Sequence, residues 1–172
     1  ETNSDDQQPG LDEIERLGEM KFWFDTEFME NGKIIEPLSI GIIAEDGREY
    51  YAEFMDTDRT HASEWVRQNV LPKLSGVGIS NQRIRDEVLS FAGEKPEWWA
   101  YYADYDWVLL CQLYGSMMSL PPGWPKFCLD LKQEIHRLGK SVIRMSDGVN
   151  HHALDDARWV KETYYEIFGR AA

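Results

Sequence analysis

Between residues 20 and 54 the chain alternates short apolar runs with turn residues. Residues 21–24 predict a strand, Asn31-Gly32 marks a turn, and residues 34–44 predict a second, largely apolar strand. Glu45-Asp46-Gly47 predicts a hairpin turn into a third strand at 48–54, so these three strands are expected to pair antiparallel. The period then changes, because residues 62–71 and 81–92 place apolar side chains at three- and four-residue intervals, as helices do. Residues 98–102 predict a short aromatic strand, followed by an apolar helix around 107–114. Pro121-Pro122-Gly123-Trp124-Pro125 interrupts regular structure, and residues 127–138 and 153–168 read as two further helices. Three strands followed by alternating helix and strand predict an α/β fold with a mixed sheet flanked by helices.

Residues 1–19 do not share this pattern. The first ten are polar and end in Pro9-Gly10, and residues 11–17 have room for one short amphipathic turn. They are expected to be a poorly ordered extension or linker, with the folded domain spanning 20–172 and Met20 read as a native start. The full chain of 172 residues is 42% hydrophobic with 7 Trp, 8 Tyr and 7 Phe, enough to bury a core. No apolar run approaches the ~20 residues that a bilayer span requires. No basic segment followed by an apolar one opens the chain, so a cytoplasmic location is expected. Cys111 and Cys128 are expected to be buried free thiols, and no CxxC or HExxH spacing supports zinc.

The net charge of −13 argues against a protein that holds phosphate directly, unless divalent cations intervene. One locally basic segment runs from 126 to 144, where Lys126, Lys132, Arg137, Lys140 and Arg144 outnumber Asp130 and Glu134. A solvated helix face explains any one of these residues equally well. Asp25 and Glu27 close the first apolar run. Alternation puts both on one face of an extended strand, close enough to share a cation, and a divalent metal is the expected occupant. Asp106 falls near the start of a helix beside the sheet edge, and His151 and Asp156 flank the start of the last helix.

Asp25-Thr26-Glu27, Asp106 within Ala103-Asp104-Tyr105-Asp106-Trp107, and His151-His152-Ala153-Leu154-Asp155-Asp156-Ala157 resemble, in order and spacing, the three motifs of the DEDDh 3'-5' exonucleases of the ribonuclease H-like superfamily. The third motif is especially similar to that of oligoribonuclease, and the small size resembles oligoribonuclease, ribonuclease T and a related small actinobacterial exoribonuclease. The resemblance implies a ribonuclease H-like fold and makes residues 20–172 an exonuclease domain. It also implies metal binding by Asp25, Glu27, Asp106 and Asp156, two Mg2+ or Mn2+ ions per site, and His151 as general base. Such ions would sit about 3.5–4 Å apart and clamp the scissile phosphate. The implied reaction removes nucleoside 5'-monophosphates from the 3' end of RNA, with or without a single-stranded overhang, and the implied assembly is a homodimer.

Phe28, with Thr26 and Tyr105, is expected to touch substrate, since stacking on a base is worth about 1–3 kcal/mol; a core aromatic is the plain alternative for Phe28. Asp104 reads as a turn or capping residue and Asp155 as a surface acid. His152 competes with His151 for the base, and Trp99, Tyr102 and Tyr105 are further stacking candidates for which core packing is the plainer reading. Asp130 precedes Leu131 where relatives carry Asp-Thr. A DNA-directed exonuclease is the alternative activity, and a noncatalytic nucleic-acid-binding module a further one.

Overall fold

Strand β1 (Met20–Glu30) pairs antiparallel with β2 (Ile35–Ala44), and β2 pairs antiparallel with β3 (Glu49–Glu53), as the hydrophobic pattern predicts. The turn between β2 and β3 closes through the Gly47 N–H on Ala44 O, and Gly47 has the positive φ, 92°, that glycine permits. The computed structural model describes residues 20–142 and 151–169. Residues 1–19, expected to form an extension or linker, lie outside the described residues, as does Arg144 of the basic segment.

β4 (Pro96–Ala100) and β5 (Leu129–Asp130) complete a five-stranded sheet of order β3-β2-β1-β4-β5, with β1, β4 and β5 parallel. Five α-helices surround it among the described residues: α1 (Glu64–Asn69), α2 (Asn81–Ala92), α3 (Ala103–Leu113), α4 (Leu131–Arg137) and α5 (Ala153–Phe168). The architecture is a mixed α/β sheet flanked by helices, consistent with a ribonuclease H-like fold.

Strand alternation divides the core. Phe22, Phe24, Ile40 and Ile42 pack with Ile84 and Val88 of α2 and Leu110 of α3 on one face. Trp23, Ile43 and Trp99 pack with Ile135 of α4 and Ala157 and Val160 of α5 on the other. A third group, Met29, Leu38, Val66 and Val70, seats α1 at the far end of β1 and β2. Each large apolar side chain fully buried this way contributes about 1.5–3 kcal/mol.

Two element boundaries differ from the pattern. The helix expected at 127–138 begins only at Leu131, because the Asp130 carboxylate accepts the Gln133 N–H (3.0 Å) and caps it, while Leu129-Asp130 pair with β4. The first strand runs on to Glu30, beyond the apolar run at 21–24, so Asp25 and Glu27 sit within it rather than at its end. Its partner β2 continues alongside, with Asp25 opposite Gly41 and Glu27 opposite Ser39. β4 pairs with β1 only as far as Trp23, which leaves the β4-side edge of β1 open where the acids stand.

Gly41 decides how α5 meets the sheet. A Cβ there would overlap the backbone of Ala153 and Leu154, so only glycine lets the first turn of α5 lie against β2. Gly41→Ala is expected to push that turn away, at a cost of about 1–3 kcal/mol in stability. A thermal melt beside an assay of hydrolysis checks this: both should fall, and an unchanged melt would show that α5 adjusts without strain.

Candidate active site

A pocket of about 280 Å³ opens where β1 leaves β4 behind, lined by Asp25, Thr26, Glu27 and Phe28 of β1, Trp65 of α1, Tyr101, His151, and Asp156 and Trp159 of α5. Ligand sites in such sheets gather at the carboxyl ends of the parallel strands. The register shifts between Glu27, opposite Ser39, and Phe28, opposite Pro37, so that Leu38 of β2 is the extra residue. Proline cannot donate to a strand ladder, and a bulge absorbs the loss.

Asp25, Glu27 and Asp156 each bring a carboxylate oxygen within 4.8 Å of the others. Strand alternation supplies the first two, and the close approach of α5 over Gly41 supplies the third. Burial, followed by the charges of Asp156 and Asp106, pushes the Glu27 carboxyl up to about 8, while Lys73 pulls it down. Gathered like charges favour the protonated form unless a cation joins them.

Asp106 stands apart from this trio. Thr26 alternates to the opposite face of β1, and its backbone N–H (2.9 Å) and hydroxyl both donate to Oδ1 of Asp106, which is 5% exposed. Asp106 thereby fills the hydrogen-bonding position that β4 leaves open. Burial raises its pKa against the two Thr26 bonds, and Asp130 and Asp156 add to the rise.

His151 sits at the pocket rim with Nδ1 4.0 Å from Glu27 Oε2 and its ring edge-on to Trp65 at 4.7 Å. Its φ of 28° is unusual for a residue with a side chain. His152 points elsewhere: its ring stacks on Tyr51 at 4.7 Å, and Nδ1 lies 3.5 Å from Asp155 Oδ2. Asp155 also pairs with Arg158 (2.5 Å).

Phe28 and Thr26 line the pocket, and Tyr105 meets the Phe28 ring edge-on at 5.5 Å without lining it. Asp104 lies exposed in the first turn of α3. Asp130 accepts the Ala103 N–H at the start of α3 (2.9 Å) as well as capping α4, so it braces the helix that carries Asp106. Trp65 was not singled out by the sequence, although it is 53% exposed and lines the pocket. A tryptophan on the polar side of a short amphipathic helix was the available signal. In the basic segment, Arg137 pairs with Glu134 (2.6 Å) and Lys140 donates to Ile167 O (2.7 Å), so both serve the fold.

An α/β sheet whose open strand edge gathers three carboxylates and a histidine around one pocket defines a hydrolase-like class of site. Residues 20–168 match the 3'-5' exoribonuclease Rv2179c-like domain, and the chain belongs to that family. It is 44% identical over 147 residues to the 3'-5' exoribonuclease Rv2179c of Mycobacterium tuberculosis strain H37Rv, covering 81% of this chain and 88% of that protein. The 3'-5' exoribonuclease MT2234.1 of strain CDC 1551 matches to the same extent, 44% over 147 residues.

Proposed function

We propose that this protein is a metal-dependent 3'-5' exoribonuclease of the DEDDh, ribonuclease H-like type, releasing nucleoside 5'-monophosphates from RNA 3' ends. The observation that carries the proposal is the convergence of Asp25, Glu27 and Asp156 within 4.8 Å beside His151. Family membership supports RNA as the substrate. An all-oxygen donor set suits hard divalent cations such as Mg2+ or Mn2+, and burial, then the charges of Asp156 and Asp106, raise the Glu27 pKa, a cost that such ions would offset.

Asp25, Glu27 and Asp156, with Asp106 alongside, would hold two ions. Bound there, the ions supply Lewis-acid stabilisation of charge on the scissile phosphate and its leaving oxygen. His151 takes a proton from the attacking water as the water oxygen bonds to phosphorus and the 3' oxygen of the preceding nucleotide leaves. Phe28 and Trp65 offer faces and edges to the terminal bases, Tyr105 braces Phe28, and Thr26 fixes Asp106. His152, held by Tyr51 and Asp155, is left out of the chemistry.

The proposed enzyme is a cytoplasmic homodimer. Free Cys111 and Cys128 suit a reducing compartment, and no helix among the described residues is long and apolar enough to cross a membrane. Tyr105 and Val108, one turn apart on α3, expose apolar surface beside the pocket that a second copy would cover. Light scattering reporting a monomer at micromolar concentration would exclude the dimer.

The activity is tested with 5'-labelled RNA and DNA of equal sequence in Mg2+ or Mn2+. Stepwise shortening of RNA from the 3' end is expected, halted by EDTA and slower on DNA. Degradation from a blocked 3' terminus would refute the polarity, and equal or faster cleavage of DNA would refute the substrate.

Metal binding has a separate signature. Because the Glu27 pKa is raised from 4.5 to about 8, the metal-free fold holds a proton that the unfolded chain releases. Its stabilising contribution is complete below pH 4.5 and is lost as pH rises through about 8. Tm without metal is therefore expected to fall between these limits, Mg2+ should restore more of it at pH 8 than at pH 5, and Glu27→Gln should flatten the dependence. A Tm difference between pH 5 and 8 that is the same in wild type and Glu27→Gln would exclude Glu27 as its source.

A further inference from the structure

Glu49, Tyr51 and Glu53 occupy alternate positions on the edge strand β3, so their side chains share one face. Each grips a different part of the pocket's surroundings. Arg158 of α5 donates Nε and Nη2 to Glu49 at 2.8 and 2.6 Å and Nη1 to Asp155. The Tyr51 ring lies on the His152 imidazole, centroids 4.7 Å apart and planes inclined by 17°. The Tyr51 hydroxyl donates to Glu53 Oε1 (3.1 Å), and Glu53, 2% exposed, also accepts the backbone N–H groups of Ser75 (2.5 Å) and Gly76 (3.0 Å).

Those two N–H groups belong to the segment that follows α1, the helix carrying Trp65. Trp65 in turn meets the His151 ring edge-on, at 4.7 Å and 84°. Parts fastened to β3 thus surround His151: its neighbour His152 through the Tyr51 ring, and the segment after the Trp65 helix through the Glu53 carboxylate. The surface ion pair at Glu49 is worth at most about 1 kcal/mol, so half-buried Tyr51 and buried Glu53 carry the arrangement. His151 also holds an unfavourable φ of 28°, a conformation that persists only where its surroundings over-determine it.

We propose that Tyr51 is a positioning residue for hydrolysis, its ring clamping His152 so that the adjacent His151 faces the carboxylate trio. This rests on the reading of His151 as the base. Its ring lies on His152 and its hydroxyl donates to Glu53, so its effect is expected on the rate of the chemical step more than on substrate or metal affinity.

The test compares Tyr51→Leu, which removes the stacking plane, with Tyr51→Phe, which keeps the ring and loses the hydroxyl with its bond to Glu53. In the full chain, Tyr51→Leu is expected to lower kcat by about tenfold or more, as misplacing a reacting group does. KM for RNA and the half-saturating Mn2+ concentration should stay within about threefold, the pattern of a lost contribution to the chemical step. Tyr51→Phe is expected to recover most of kcat. A Tyr51→Leu enzyme with kcat within about twofold of wild type overturns the proposal, as does equal damage in both variants or a loss confined to KM.

Should Tyr51→Leu not fold, His152→Ala removes the other half of the same stack and carries the same expectations. An NMR measurement separates this inference from the function it rests on. The imidazole signals of His151, assigned by their loss in His151→Ala, should move in Tyr51→Leu and hold in Tyr51→Phe. Unmoved signals overturn the clamp whether or not the wild-type protein cleaves RNA, whereas a wild type without nuclease activity overturns only the function.

Discussion

Asp25→Ala is expected to eliminate RNA hydrolysis, lowering kcat by about a thousandfold or more, while the protein still folds. Asp25 shares the Glu27 and Asp156 cluster, so its loss removes one of three oxygen donors that lie within 4.8 Å. Divalent cations bound by such a cluster would supply several kcal/mol of charge stabilisation in phosphoryl chemistry, and each 1.36 kcal/mol is a factor of ten in rate. Stability should move the other way. Removing one of the gathered acids relieves repulsion on Glu27 and Asp156, so the metal-free Tm at pH 8 is expected to match or exceed that of wild type, and the upward shift on adding Mg2+ should shrink. Cleavage by Asp25→Ala near the wild-type rate would place the chemistry elsewhere in the molecule.

The second large effect belongs to His151. His151→Ala is expected to reduce kcat by about 10²–10⁴-fold, the range typical of a lost general base. Its Nδ1 lies 4.0 Å from Glu27, beyond hydrogen-bonding distance, and the cluster of three carboxylates does not include it. Metal binding should therefore survive, and the Mg2+-dependent rise in Tm should persist in the inactive variant. That combination separates His151 from Asp25, whose substitution is expected to eliminate hydrolysis and shrink the thermal response together. If His151→Ala lost the thermal response to Mg2+ as well, the histidine would be part of the metal site and not a base.

Several parts of this arrangement are legible from the chain alone. The pairing of Asp25 with Glu27 follows from strand alternation, and the hairpin at Asp46-Gly47 from turn chemistry. The extent of β1 was hidden because its outer half carries acids where a strand pattern expects apolar residues. Those acids face a pocket, so the usual rule that buried means hydrophobic fails there. The start of α4 was misplaced because Leu129 continues an apolar periodicity that only the Asp130 cap interrupts.

Trp65, Tyr51 and Gly41 were not singled out for a different reason. Gly41 matters because it stands opposite Asp25 in the sheet register, and Tyr51 because it stands opposite Gly41 in turn. No local window of sequence contains those relations. Asp106 was marked for its motif, but its actual partner, Thr26, lies 80 residues earlier and is found only once β4 is seen to stop short.

The same open stretch of β1 bears on how the sheet avoids pairing with another chain. An exposed strand edge with a free N–H is a template onto which another chain can add a strand. Asp106 occupies that position at Thr26 with a carboxylate, which accepts the bond and repels an incoming backbone carbonyl. Its replacement by alanine would accordingly do more than weaken a nuclease: it would expose a docking edge for misassembly beside an aromatic pocket, and the variant should enter aggregates at concentrations where the parent protein remains dispersed.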